Sequence, residues 1–172
     1  MARDITSDFN TAIKDTVVQP IFAIELEFSD GTLRFWTGYG DITMTAGGSS
    51  KTFTGTGDLL NISPIGESST LQMQGITVAL TGIKSSLIST ALTAQYTNRN
   101  GTLYMGLLNS SGAVIADVYT LFKGKMDVLN INEGAETSTI TLKIESRLVS
   151  FDLPLNRMYT LEDQQVDYST DL

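Results

Sequence analysis

The sequence predicts a mainly-β fold, an antiparallel β-sandwich or barrel with one N-terminal and one internal short helix. Three observations carry that expectation. Apolar and polar residues alternate over many short runs. Turn signals separate the runs at hairpin spacing. The chain also holds 23 threonines, most of them inside the alternating runs, where β-branching favours extended backbone.

The first organised stretch, Thr6 to Val18, has the helical period instead. Phe9, Ile13 and Val17 recur every fourth residue with Ala12 beside them, so one face is apolar. Ser7 or Asp8 is the expected cap, and Pro20 stops the helix at the preceding residue. The period then drops to two. Phe22, Ile24, Leu26 and Phe28 share one face, opposite Ala23, Glu25 and Glu27. Ser29-Asp30-Gly31-Thr32 reads as a type I′ hairpin turn, with Leu33 to Trp36 as the returning strand.

Short strands follow at Asp41 to Thr45 and Lys51 to Thr54, joined by the turn Gly47-Gly48-Ser49-Ser50. Leu59 to Ile65 is another apolar strand, interrupted by Pro64. Leu71 and Met73 have one phase, and Ile76, Val78 and Leu80 have the other. That slip predicts a β-bulge at Gln74-Gly75. Ile83, Leu87, Ile88, Ala91 and Leu92 mark the internal helix, Ile83 to Ala94, capped by Ser85 or Ser86. Two hairpins complete the β region. Leu103 to Leu108 pairs with Ala113 to Phe122 across Asn109 to Gly112. Lys125 to Ile131 pairs with Thr137 to Leu148 across Asn132 to Glu136, and the return strand has one wet face. Roughly nine or ten strands result. Residues 1–154 read as a single domain, and residues 155–172 as a polar tail or docking arm.

Composition excludes more chemistry than it suggests. The 172-residue chain has no histidine and no cysteine. Disulfides, thiol nucleophiles, zinc fingers and His-centred triads are therefore impossible. Carboxylate chemistry and oxygen-ligand metal sites survive that exclusion. A net charge of −8 argues against a nucleic-acid surface, which needs clustered Lys and Arg. No segment has the length or apolarity of a membrane span, and the start Met1-Ala2-Arg3-Asp4 is not a secretory signal. Production in the cytoplasm, with retention there or release by a route other than Sec, is the expectation.

Candidate sites are few. Gly38-Tyr39-Gly40 and Gly55-Thr56-Gly57 lack a third glycine or a Gly-Lys-Ser/Thr continuation, so they read as turn and bulge glycines. Glu25 with Glu27, Glu133 with Glu136, and Glu162-Asp163 are the carboxylate pairs. They are expected to be solvated acids on strand faces and loops, and none has EF-hand spacing. A hydrolase would need two acids about 5–9.5 Å apart in one cleft. A carbohydrate-binding sandwich would need a groove around Trp36, Tyr39 or Tyr104. No catalytic, cofactor-binding or metal residue is assigned, and no cofactor is expected. The N-terminal helix and the run Arg157 to Gln165 have two readings each: packing or fraying on their own subunit, or docking on a neighbour.

The order of motifs resembles a family of phage tail proteins. The likeness runs from Ile24-Glu25-Leu26-Glu27-Phe28 and Thr32-Leu33-Arg34-Phe35-Trp36-Thr37-Gly38-Tyr39-Gly40 to the stretch Gly55 to Ile65 and Gln74 to Ile83. It continues through Phe122-Lys123-Gly124-Lys125-Met126-Asp127, Ile144 to Leu148 and Tyr159 to Gln165, covering most of the chain. The family is similar to hub-type domains of tail tips and baseplates, including the hub component of gene transfer agents. The resemblance implies a non-enzymatic, β-rich virion subunit, assembled in the host cytoplasm into a trimeric or hexameric ring that binds other tail proteins. Neither nucleic-acid binding nor membrane insertion is expected of it. Sequences of the family usually continue into a short Gly-Phe/Leu-rich segment, whereas this one stops at Leu172, by trimming or because the local tail contact differs. Some relatives are fused to a peptidoglycan hydrolase, but nothing here supplies its Cys or His. A head–tail connector or tube-like component is the alternative within virions, and a carbohydrate-binding receptor module the alternative outside them.

Overall fold

The structure is a computed structural model that describes residues 5–14, 17–56, 60–66, 74–81, 94–115, 118–133, 138–151, 160, 165 and 168. Among the described residues, helix α1 (Ser7–Ala12) precedes nine strands. These are β1 (Gln19–Phe28), β2 (Gly31–Trp36), β3 (Asp41–Ala46), β4 (Ser49–Gly55), β5 (Leu60–Ile62), β6 (Gly75–Thr81), β7 (Asn100–Leu108), β8 (Tyr119–Glu133) and β9 (Ser138–Ser146). A short 3-10 helix, Arg147–Phe151, follows. The fold is mainly β, as the alternation predicts.

All nine strands belong to one sheet, in the order β3-β4-β2-β1-β7-β8-β9-β6-β5. Its pairs are antiparallel except β2–β4, which run parallel over Phe35↔Thr54 and Trp36↔Gly55. The sheet curls strongly. Ile24, Leu26 and Phe28 of β1 and Phe35 of β2 share one core with Val78 of β6 and Ile140, Leu142 and Ile144 of β9. On the opposite face of β1, Ile21 and Ala23 pack with Met44, Ala46 and Phe53, so the β3–β4 hairpin lies across that face. β1 is thus buried on both sides, whereas Thr139, Thr141, Lys143 and Glu145 of β9 line the predicted wet face.

α1 is shorter than its apolar stripe predicts. Thr6, not Ser7 or Asp8, caps it, its hydroxyl accepting from the Phe9 amide at 3.3 Å. Phe9 and Ala12 pack on Leu107, and the helix then ends. Gln19 and Pro20 are already paired with Leu108 and Leu107, so the chain must extend before them. Val17, the last residue of the expected stripe, is 76% exposed.

The β1–β2 hairpin forms where the alternation predicts it, but its loop is Ser29-Asp30, one residue earlier than the expected Asp30-Gly31, and the register shifts with it. Phe28 pairs with Gly31, and Ser29 and Asp30 both keep negative φ. Type I′ geometry appears instead in the β3–β4 hairpin, where Gly47 (φ +61°) and Gly48 (φ +78°) have positive φ between the paired Ala46 and Ser49. Replacing Gly47 by alanine should cost about 1–2 kcal/mol in a denaturant titration, because its Cβ would favour negative φ while meeting nothing closer than 3.7 Å.

The two strands predicted on either side of Gly124 are one 15-residue strand, β8. Gly124 belongs inside it for steric reasons. It pairs with Gly101, and a Cβ there would run into the backbone carbonyl of Glu145. β8 also carries two bulges. Leu121 is extra opposite β7, and Asp127-Val128 oppose Lys143 alone on β9. The second bulge inverts the phase, so that Met126 and then Leu129 and Ile131 face the same core. The described part of Ala113 to Val118, residues 113–115 and 118, is not continuous strand. It makes a single bridge, Leu108↔Val114, beyond a turn in which the Asn109 side chain accepts from the amides of Ser111 and Ala113.

The bulge expected at Gln74-Gly75 falls at the border of the described residues, where the ladder begins. β6 pairs with β9 in unbroken register from Gly75↔Glu145 to Thr81↔Thr139, and the earlier phase, Leu71 and Met73, lies outside the described residues. So does the predicted internal helix apart from Ala94, which is buried in the main core. The polar tail likewise falls outside them, save residues 160, 165 and 168.

Candidate functional site

Glu25 sits where three strands and the folded-over hairpin meet. The β1–β2 register places Arg34 opposite it, the β1–β7 register places Thr102 on its other side, and β4 brings Lys51 over the top. Arg34 Nε donates to Oε2 at 2.6 Å, and Lys51 Nζ donates to Oε1 at 2.9 Å. The Glu25 side chain is only 8% exposed, against 31% for Arg34 and 18% for Lys51. Burial pushes its carboxyl up, but the hydrogen bonds and charges of the two cations outweigh burial and leave it below the ordinary 4.5. Lys51 Nζ also lies 5.9 Å from the centroid of the Tyr104 ring. Burial first, and the Glu25 charge second, raise the Tyr104 hydroxyl above its usual range.

This corrects the expectation of a solvated strand face. Glu25 is a buried ion-pair centre that ties β4 to β1 and β2. Glu27 is occupied as well, accepting from Asn100 Nδ2 at 2.7 Å. A glycosidase acid needs a raised pKa and free access to substrate, and Glu25 has neither. Glu133 ends β8, while Glu136, Glu162 and Asp163 lie outside the described residues. Among the described residues no cluster of three acids is arranged to hold a metal ion, and no helix is long and apolar enough to cross a membrane.

The aromatic candidates separate in the same way. Trp36 (8% exposed) and Tyr104 (3%) are core residues, with Phe53 edge-to-face on Tyr104 at 6.2 Å between centroids. A sugar-binding groove built on all three aromatics is therefore absent. Tyr39 alone is presented to solvent, at 82% exposure. Its loop is tightly held. Trp36 Nε1 donates to Gly40 O at 2.9 Å, Gly55 N donates to the same oxygen at 2.8 Å, and Thr37 exchanges hydrogen bonds with Phe22. Gly55 packs against the carbonyl of Gly38, and Gly38 packs against the Trp36 ring, so these glycines serve close backbone crossing, not phosphate binding. Gly57 lies outside the described residues.

The remaining surface feature surrounds α1. A shallow hollow of about 350 Å³ is walled by Ala12, Val17, Val18, Leu107, Leu108 and Ile115. A second, of about 310 Å³, lies between Ile5, Phe9, the Gly47-Gly48 turn and Tyr119. Ile13, Val17 and Val18 are exposed beside the first. Sequence reasoning singled out the helix but missed this hollow, because Leu107 and Ile115 reach it only through strand pairing. Neither partner of Glu25 was readable: the expected Asp30-Gly31 turn would set Trp36 opposite it instead of Arg34, and Lys51 comes from a hairpin that folds back over the sheet.

No protein-family profile matches the chain, and no curated protein matches it in sequence. Its fold does match a solved structure. A chain of the "virion of native gene transfer agent (GTA) particle" superposes with a TM-score of 0.59 at 16% identity over 90% of this chain. The match spans 49% of that chain, so the present sequence corresponds to about half of its structural neighbour.

Proposed function

We propose that the protein is a structural, non-catalytic subunit of a phage-type virion, placed in the tail tip or baseplate hub, where it forms a homo-oligomeric ring and binds neighbouring tail proteins. The observation that carries this reading is the fold shared with a gene transfer agent virion chain along nine-tenths of the sequence. The order of motifs described above supports the hub assignment within that class. Burial of Glu25, Trp36 and Tyr104 supports a role that works through shape instead of a reacting centre. A structural ring also suits a fold built on one open sheet, because closed symmetry leaves no free edge to propagate.

Light scattering on the purified protein tests the ring, and labelled-antibody imaging of intact particles tests the location. A trimer or hexamer, with label at the distal end of the tail, is expected. A strict monomer at high concentration, together with label on the head or on no particle, would overturn the reading.

A further inference from the structure

Among the described residues, Asn100 Oδ1 is the buried side-chain atom left without a hydrogen-bond partner. Asn100 opens β7, and its Nδ2 donates to Glu27 Oε2 at 2.7 Å. A carboxylate only accepts, so Glu27 fixes which end of the carboxamide is nitrogen. The other end, Oδ1, is sealed from water with no donor on it. An empty buried acceptor is costly, and nothing in the packing of β7 explains it.

The residue directly opposite Asn100 in the β7–β8 ladder is Lys125, on the same face of the sheet. The β-carbons of such a pair stand about 4.5–5.5 Å apart, within reach of a lysine stem bending to the neighbouring carboxamide carbon. Lys125 is half-buried and, among the described residues, has no ion pair. Glu145, its partner on β9, already accepts from Lys143 at 2.7 Å. Amine, carboxamide and carboxylate thus lie side by side on β8, β7 and β1. The acid rests on the nitrogen that a substitution at the carboxamide would expel.

From this juxtaposition we infer that Lys125 and Asn100 join in an isopeptide bond, with Glu27 as the proton carrier. Lys125 first loses its ammonium proton to solvent. The neutral Nζ then attacks Asn100 Cγ, and Glu27 takes one Nζ proton and delivers it to Nδ2. The Cγ–Nδ2 bond breaks, its electron pair leaves with ammonia, and a Cγ–Nζ amide remains. No oxidant or co-reactant is consumed. Burial of the carboxamide keeps water from competing for Cγ. The other nucleophile near that carbon is the Gly101 amide, which would close a succinimide. Gly101 is paired with both Leu26 and Gly124, and this extended ladder holds its nitrogen away from Cγ. The reaction occurs once per molecule, acts on no substrate, and ties β7 covalently to β8.

Intact-protein mass spectrometry after incubation in mildly alkaline buffer tests the bond. The expected mass is that of the sequence less one ammonia, and tryptic digestion should release a branched peptide that joins the Asn100 and Lys125 segments. Lys125→Arg and Glu27→Gln should both keep the full sequence mass while retaining the Trp36 fluorescence of the folded protein. A wild-type protein at full mass would overturn the inference. Ammonia loss that persists in Lys125→Arg would overturn it too, because that loss marks a succinimide with Gly101. A branched peptide that still forms in Glu27→Gln would remove Glu27 as the proton carrier.

Discussion

Phe53→Ala should lower the free energy of unfolding by about 3–5 kcal/mol, the range for deleting a fully enclosed aromatic ring. Phe53 is 0% exposed and is the largest fully enclosed side chain among the described residues. It joins the β3–β4 hairpin to the sheet, contacting Tyr104 edge-to-face within the cluster that holds Ala23, Trp36 and Met44. Beyond that cluster the hairpin is tied to the sheet through Lys51 and Glu25. It pairs with β2 over only two residues and bonds to the chain before β8 through Val118 N and Thr45 O. Phe53→Leu keeps most of the volume and should recover more than half of the loss. A urea titration of the three proteins, followed by the fluorescence of Trp36, reads both effects. A loss for Phe53→Ala below about 1 kcal/mol would mean that the hairpin is held in some other way.

Glu25→Ala should cost about 3 kcal/mol, since it leaves Arg34 and Lys51 facing each other without their shared acid. Both cations retain partial access to water, which keeps the figure at the lower end for broken buried pairs. The wild-type protein should show the matching pH dependence. The folded carboxyl lies below 4.5, so the stability that it supplies is complete above the pKa of the unfolded chain. That stability is lost as pH falls through the folded value. Unfolding midpoints measured from pH 7 down to pH 2 should therefore drop below about pH 4.5. Glu25→Gln, which has no carboxyl to titrate, should follow a shallower curve in that window. Equal slopes for the two proteins would show that Glu25 is not the acid that matters.

Much of the architecture is legible where one face of a strand is wet. In β9, Ile140, Leu142 and Ile144 alternate with polar residues, and the period of two needs no tertiary information. β1 is the opposite case. Both of its faces are covered, so a single carboxylate at Glu25 looks like the wet side of an amphipathic strand until the β3–β4 hairpin is seen to lie over it. The hairpin comes back because Gly38, Gly40 and Gly55 allow a tight crossing, and nothing in its own alternation announces that. β8 misleads for a related reason. Gly124 has the signature of a turn, but its missing side chain makes room for the neighbouring strand's carbonyl.

That β1–β7 pairing has a consequence for how the chain is made. Leu26 and Gly101 are partners some 75 residues apart in sequence. At about 5–20 residues per second, a ribosome releases β1 roughly 4–15 s before any partner for that edge exists. During this interval the N-terminal hairpin presents Ile24, Leu26, Phe28 and Phe35 before β7, β8 and β9 exist to complete their core. Slower synthesis lengthens the exposure, and expression at high level brings more such nascent hairpins together. Yield of soluble protein should therefore depend on translation speed and on chaperone supply more than on the stability of the finished fold.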